Sequence, residues 1–189
     1  MLKILLIASA VVVAIVIMVL IVAALQPAAF RVERSASIAA PPDVLFDQVN
    51  DHKKFQQWNP WAKMDPEAKT TYSGPDAGVG AVASWNGVKV GVGSATIIES
   101  KPGELVRQRM DWLKPIQGTS TVDFTFKPDG GKTLVTWAMY GENKLIGKLF
   151  SLFMDCEKMC GPEFEKGLAD LGKIVTSPAQ PPTINPRNS

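Results

Sequence analysis

From Ile4 to Leu25 the chain is a run of Ile, Leu, Ala, Val and Met interrupted only by Ser9. As a helix, such a run is long enough to cross about 30 Å of hydrocarbon, so residues 1–29 read as a transmembrane anchor with a short linker. A cleaved signal peptide has a shorter apolar core, about 7–15 residues, and a small-x-small cleavage site. Here Leu25-Gln26-Pro27-Ala28-Ala29-Phe30 puts proline where cleavage is poorly served. Lys3 precedes the run, and Arg31 and Arg34 follow it with Glu33 between them, so the flanking charge is nearly balanced. A short N-terminal stub stays in the cytoplasm more easily than a domain does. The expectation is therefore a single pass through the cell (inner) membrane, with the N-terminus cytoplasmic and the globular domain on the outer or periplasmic side.

After Phe30 the pattern changes. Phe30 to Ile38 alternates as a strand, and Ala39-Ala40-Pro41-Pro42-Asp43 marks a break and a helix start, where proline is tolerated in the first turn. Val44, Leu45, Phe46 and Val49 give that helix an apolar side, and a second short helical piece is expected around Lys53 to Gln57. From Lys69 onward, short runs broken by Gly, Pro, Asn and Asp predict antiparallel strands. They fall near Lys69 to Ser73, Val79 to Trp85, Val88 to Glu99, Glu104 to Trp112, Thr119 to Lys127 and Thr133 to Tyr140. Asn86-Gly87 is the pair a tight two-residue hairpin prefers, and Pro128-Asp129-Gly130-Gly131 is a second turn signal.

A meander of about seven strands needs cover on its apolar face. Leu149, Phe153, Cys156, Cys160, Phe164, Leu168, Leu171 and Val175 recur at spacings of three and four and supply it as one long helix. Gly161-Pro162 predicts a kink or restart within that helix. Residues 177–189, rich in proline and without an apolar period, read as a disordered tail.

Composition narrows the function classes. The chain carries 20 Lys and Arg against 18 Asp and Glu, which gives no electrostatic case for nucleic acid. Cys156 and Cys160, four apart on a helix, are neighbours poorly aimed for a disulfide, and the single histidine lies far away at His52. No metal site and no cofactor is expected, because ligands of the usual types and spacing are lacking. Gly78-Val79-Gly80 and Gly91-Val92-Gly93 precede no helix and suit sheet curvature better than phosphate binding. His52 follows Asp51 at a helix end and reads as a surface or capping residue.

The element order, with Trp58-Asn59-Pro60-Trp61, Tyr72-Ser73-Gly74-Pro75, Gly78-Val79-Gly80, Ser84-Trp85 and Phe164-Glu165-Lys166-Gly167-Leu168, resembles the polyketide cyclase/dehydrase and lipid-transport family of the START-like (SRPBCC) superfamily. The resemblance covers residues 30–176. It implies an α+β helix-grip fold, a curved antiparallel sheet wrapped round a long C-terminal helix, here preceded by one transmembrane helix. It also implies an apolar cavity between sheet and helix.

Strand alternation places Val122, Phe124 and Phe126 on one face, and Val135, Trp137 and Met139 on another shared face. Gln108 falls in phase with Val106, Met110 and Trp112, as an isolated polar group on the cavity wall. The expected ligand-binding set is Trp85, Gln108, Met110, Trp112, Trp137 and Met139 from the strands, with Phe150, Phe153 and Met154 from the helical segment. Trp58 and Trp61 flank Pro60 near the expected mouth. Filling of a plain core is the alternative reading for the wall, and bracing of the loop the alternative for Trp58 and Trp61.

No serine or cysteine elbow or phosphate loop accompanies these residues, so no catalytic residue is assigned. The leading expectation is a membrane-tethered binding or carrier module for a lipid-like or aromatic small molecule. Two alternatives remain: a cyclase or dehydrase using the same cavity with a group such as Tyr140, or a ligand-free accessory subunit of a larger membrane assembly.

Overall fold

Each predicted strand forms, and the order in the sheet follows from the hairpins that join them. The computed structural model describes residues 1–143, 145–152 and 155–177, with the side chains of residues 2, 5, 8 and 145 outside the description. The elements in chain order are α1 (Leu2–Leu25), β1 (Ala29–Ile38), α2 (Pro42–Asn50), α3 (His52–Trp58), α4 (Pro60–Met64), β2 (Lys69–Ser73), β3 (Val82–Asn86), β4 (Val92–Lys101), β5 (Leu105–Lys114), β6 (Gly118–Asp129), β7 (Lys132–Glu142), α5 (Leu145–Ser151) and α6 (Cys156–Thr176). The seven strands make one antiparallel sheet in the order β1-β7-β6-β5-β4-β3-β2. Five hairpins run from β2 to β7, and β1 returns to pair with β7. Register shifts between Val92 and Gly93 and between Ile97 and Glu99 mark bulges on β4, which bend the sheet.

α6 lies in the concavity and buries Phe164, Gly167, Leu168 and Leu171. Its N-cap is Asp155, whose side chain accepts from the backbone N–H groups of Glu157 and Lys158. Arg34 of β1 ties the helix to the sheet: its Nε donates to Glu165 at 2.6 Å and its guanidinium pairs with Glu157 at 2.6 Å. Gly161 makes room for that arm, since a Cβ there would lie 2.3 Å from the Arg34 guanidinium.

Several expectations are corrected. Among the described residues no helix is long and apolar enough to cross a membrane. α1 runs Leu2–Leu25. The lack of a spanning helix among the described residues overturns the transmembrane anchor over Ile4 to Leu25, the lipid bilayer as partner through residues 4–25, and the single-pass placement with a periplasmic domain.

The helical insert after β1 has three pieces, because Asn59-Pro60 starts α4; the Asn59 side chain caps it by accepting from the Trp61 N–H. α6 continues through Pro162 without restarting, and the separation between helices falls before Asp155 instead. Pro162 is the seventh residue of α6, so the bond its N–H would make to the Lys158 carbonyl is lost, and the turns on either side carry the helix through.

The Asn86-Gly87 hairpin is not a two-residue turn. Gly87 donates its N–H to the Gly91 carbonyl at 2.8 Å, and Gly91, at φ +71°, carries the left-handed position. Gly130 and Gly131, at φ +55° and +85°, make the β6–β7 turn as expected. The tail at 178–189 lies outside the described residues.

Candidate ligand cavity

Alternation along β5, β6 and β7 turns Gln108, Val122, Phe124, Trp137 and Met139 into the concave side. There they meet α6 and the α3–α4 insert around a cavity of about 150 Å³. Trp85 and Trp112 close the β3–β5 end, ring centroids 5.6 Å apart at 71°. The Trp112 indole N–H donates to Ser120 Oγ at 3.0 Å, which fixes its rotamer. Trp85 lies flat on Gly93 of the neighbouring strand, where a Cβ would fall 2.5 Å from the indole. Gly93 is thus needed for close approach rather than for a special φ. The half-buried lining residues Gln56, Asn59, Ala62, Ala68, Thr70 and Val90 mark the open side, between α3–α4 and the β3–β4 turn.

Of the expected ligand set, Trp61, Trp85, Gln108, Met110, Trp112, Trp137 and Met139 line this one cavity. Trp58 does not. It is fully buried beneath the wall, its indole donating to the Gln48 carbonyl at 3.2 Å and its ring edge-on to Trp137 at 5.7 Å. Trp61 stands edge-on to Trp137 at 5.7 Å and to Phe164 at 5.9 Å, so it is braced as well as exposed to the cavity. Phe150 is 43% exposed on α5, which packs against α1, and is not among the lining residues. Phe153 and Met154 lie outside the described residues.

Sequence reasoning missed three contributors. His52 is 4% exposed rather than a surface residue, lines the cavity, and has its Nε2 3.3 Å from the Ala81 carbonyl. Burial pushes its pKa below the ordinary value of 6.5, against the opposing pull of that hydrogen bond and the Asp51 charge, so the imidazole is neutral near pH 7. Asp65, 5% exposed, accepts from the Lys89 and Val90 N–H groups at 2.7 and 3.3 Å and so sets the turn that carries Val90 to the mouth. Phe55 packs edge-on to Phe124 and Trp137 and forms part of the wall. The aromatic content of α3 was the available signal for Phe55. Burial of His52 and Asp65 depends on strands far away in sequence.

Cys160 also lines the cavity, and its sulfur is 3.8 Å from that of Cys156 one turn earlier. The neighbouring Cys156 and burial hold the Cys160 thiol well above the ordinary thiol range, so it stays protonated. Tyr140, considered as a proton-transfer group, points to the other face of the sheet. There its hydroxyl donates to Asp123 at 3.1 Å, and Asp123 is held at both oxygens by Arg107 at 2.8 and 2.9 Å. Among the described residues, no Asp, Glu, Lys or Arg lines the cavity, and no group of three or more His, Cys, Asp or Glu could hold a metal ion.

The model of the family described as polyketide cyclase / dehydrase and lipid transport matches residues 29–176. No curated protein matches the chain. Among solved structures, truncated norcoclaurine synthase from Thalictrum flavum is similar with a TM-score of 0.60 and 16% identity, over 82% of this chain and 98% of that one. Protein CV1439 from Chromobacterium violaceum gives 0.58 and 18%, over 81% and 100%. The Aha1 dimer from Colwellia psychrerythraea gives 0.56 and 14%, over 77% and 96%. At these identities the likeness is one of fold.

Proposed function

The chain belongs to the polyketide cyclase/dehydrase and lipid-transport family, and from that premise we propose that it is a binding or carrier module holding a hydrophobic small molecule in the cavity between sheet and α6. The observation that carries this reading is the lining: aromatic, thioether and aliphatic side chains from five strands and three helices converge on one space. That is the composition of an apolar ligand site with few orienting polar groups. A cavity of about 150 Å³ with a mainly apolar lining accommodates a ring the size of benzene, and the open side between α3–α4 and the β3–β4 turn lets a larger molecule project outward.

The test is equilibrium dialysis of the full-length chain against naphthalene. Saturable one-to-one retention is expected. Ala83→Phe, which puts a ring into the cavity from β3, should abolish it while leaving the circular dichroism spectrum unchanged. Retention that never saturates, or that ignores Ala83→Phe, would mean the interior is only a core.

A second reading, a cyclase- or dehydrase-type enzyme in the same cavity, is favoured by one observation: a neutral, buried His52 in the wall could accept a proton from a bound substrate. A reaction that His52→Gln stops without loss of ligand retention would decide for it.

A further inference from the structure

Cys156 and Cys160 stand one turn apart at the start of α6, their sulfurs 3.8 Å apart in an S–H···S hydrogen bond. The helix limits what this pair can do. Cβ atoms at i and i+4 of a helix lie about 5–6 Å apart, whereas a disulfide needs Cβ atoms about 3.8 Å apart and sulfurs at about 2.05 Å. Closing that bond would unwind the first turns of α6, which the Asp155 cap holds. A single atom between the sulfurs asks for no such movement. Two thiolates about 2.3 Å from one metal ion, with a tetrahedral angle between them, are roughly 3.8 Å apart. The pair therefore has the spacing of two corners of a metal–thiolate polyhedron, and a proton now occupies the gap.

We propose that Cys156 and Cys160 form a binding site for one soft monovalent cation, Cu(I), held between their two sulfurs. Zinc does not suit the pair: it asks for four ligands, and among the described residues no group of three or more His, Cys, Asp or Glu comes together. Cu(I) is selected by soft thiolate and thioether ligands, and two or three of them suffice. The cavity wall to which Cys160 belongs carries two more sulfurs, Met110 and Met139. Register singles out Met139. Thr133 of β7 pairs with Ile38, which lies beside Gly172 of α6, and Trp137 stacks on Phe164. At about 3.3 Å per strand residue and 1.5 Å per helix residue, the next two residues along β7 put Met139 level with Cys160. Two thiolates and Cu(I) leave one negative charge, and Cys156, as the first residue of α6, sits at the positive end of the helix dipole. Both cysteines are half-buried, so an ion reaches them from solvent.

The experiment titrates the reduced full-length chain with Cu(I) under anaerobic conditions, against bathocuproine disulfonate as competing chelator. One Cu(I) per chain should be retained, with a thiolate-to-copper charge-transfer band in the ultraviolet and an affinity that rises with pH as thiol protons are displaced. Iodoacetamide should alkylate neither cysteine of the loaded chain, although Cys156 is open to it in the metal-free one. Cys156→Ser and Cys160→Ser should each weaken binding about a hundredfold or more, as loss of one of few ligand bonds implies. Met139→Leu should weaken it by a smaller factor, and an unchanged affinity there would overturn the thioether's part. Should a serine variant fail to fold, the alkylation pattern of the loaded parent still decides the matter. Copper retained while both thiols stay open to alkylation would place the ion elsewhere and overturn the proposal. So would ready loss of Cu(I) to the chelator, or equal affinity in the serine variants. One Zn²⁺ bound per two chains, with dimers in sedimentation, would replace it with a four-thiolate site shared between two copies. An intrachain disulfide formed by oxidised glutathione would overturn the geometric argument and make the pair a redox site.

Discussion

Trp137 of β7 stacks face to face on Phe164 of α6, ring centroids 4.3 Å apart and planes within 8° of parallel. This contact joins the sheet to the helix it grips, and Phe55, Trp58, Trp61 and Phe124 surround the same indole at 4.7–5.8 Å. Gly167, one turn on from Phe164, leaves room for it: a Cβ there would lie 2.7 Å from the Trp137 ring.

Phe164→Ala should therefore cost about 3–5 kcal/mol, the range for a packed buried aromatic. Trp85→Ala, at the half-buried end of the cavity, should cost clearly less and reduce naphthalene retention. Urea denaturation of both variants measures the difference; equal costs would show that the Trp85 end is packed as a core.

The pH dependence of stability should carry the mark of His52. Its folded pKa lies below the ordinary 6.5 because of burial. As pH falls below about 6.5 the unfolded chain therefore binds more protons than the folded one, and stability falls; above that value the residue contributes no slope. Urea midpoints should drop between pH 7.5 and 5.5, and His52→Gln should flatten that drop. A parent midpoint that is level across this window would contradict the burial.

The two thiols should differ. Cys160 is held protonated and lines the cavity, whereas the hydrogen bond from Cys160 lowers the pKa of Cys156. Iodoacetamide should alkylate Cys156 first, and saturating naphthalene should slow labelling of Cys160 while leaving Cys156 unaffected, as peptide mass mapping would show. Equal protection of both would place the ligand elsewhere.

Arg107 holds Asp123 with two bonds and Glu99 with a third at 2.7 Å, on the face of the sheet away from the ligand cavity. Because the guanidinium is about one-third exposed, Arg107→Ala should cost only about 1 kcal/mol and leave naphthalene retention intact. A loss of retention would mean that the two faces of the sheet are coupled.

The elements themselves are written in local pattern. Alternation along residues 118–142 and the three-four spacing from Leu149 to Val175 are local periodicities, set by which side of a strand or helix each residue occupies, and they carried the strands and the covering helix, although that helix starts only at Cys156 and the pairing of β1 with β7 came from the fold. The same periodicity puts Gln108, Trp137 and Met139 on one side of the sheet. The length of the N-terminal apolar run, by contrast, led to a span that the described residues do not bear out. Tertiary structure alone decided which inward residues meet space and which meet each other. Trp58 and Trp61 are near neighbours with the same chemistry, yet Trp58 is sealed under the wall while Trp61 faces the cavity, because α3 ends between them and α4 starts in a new direction. His52 and Asp65 are polar by sequence and buried by position: His52 reaches the Ala81 carbonyl and Asp65 the Lys89 and Val90 amides, bonds of 29, 24 and 25 residues' separation. Burial of a polar group depends on partners that only the folded chain brings near, and no local pattern records them.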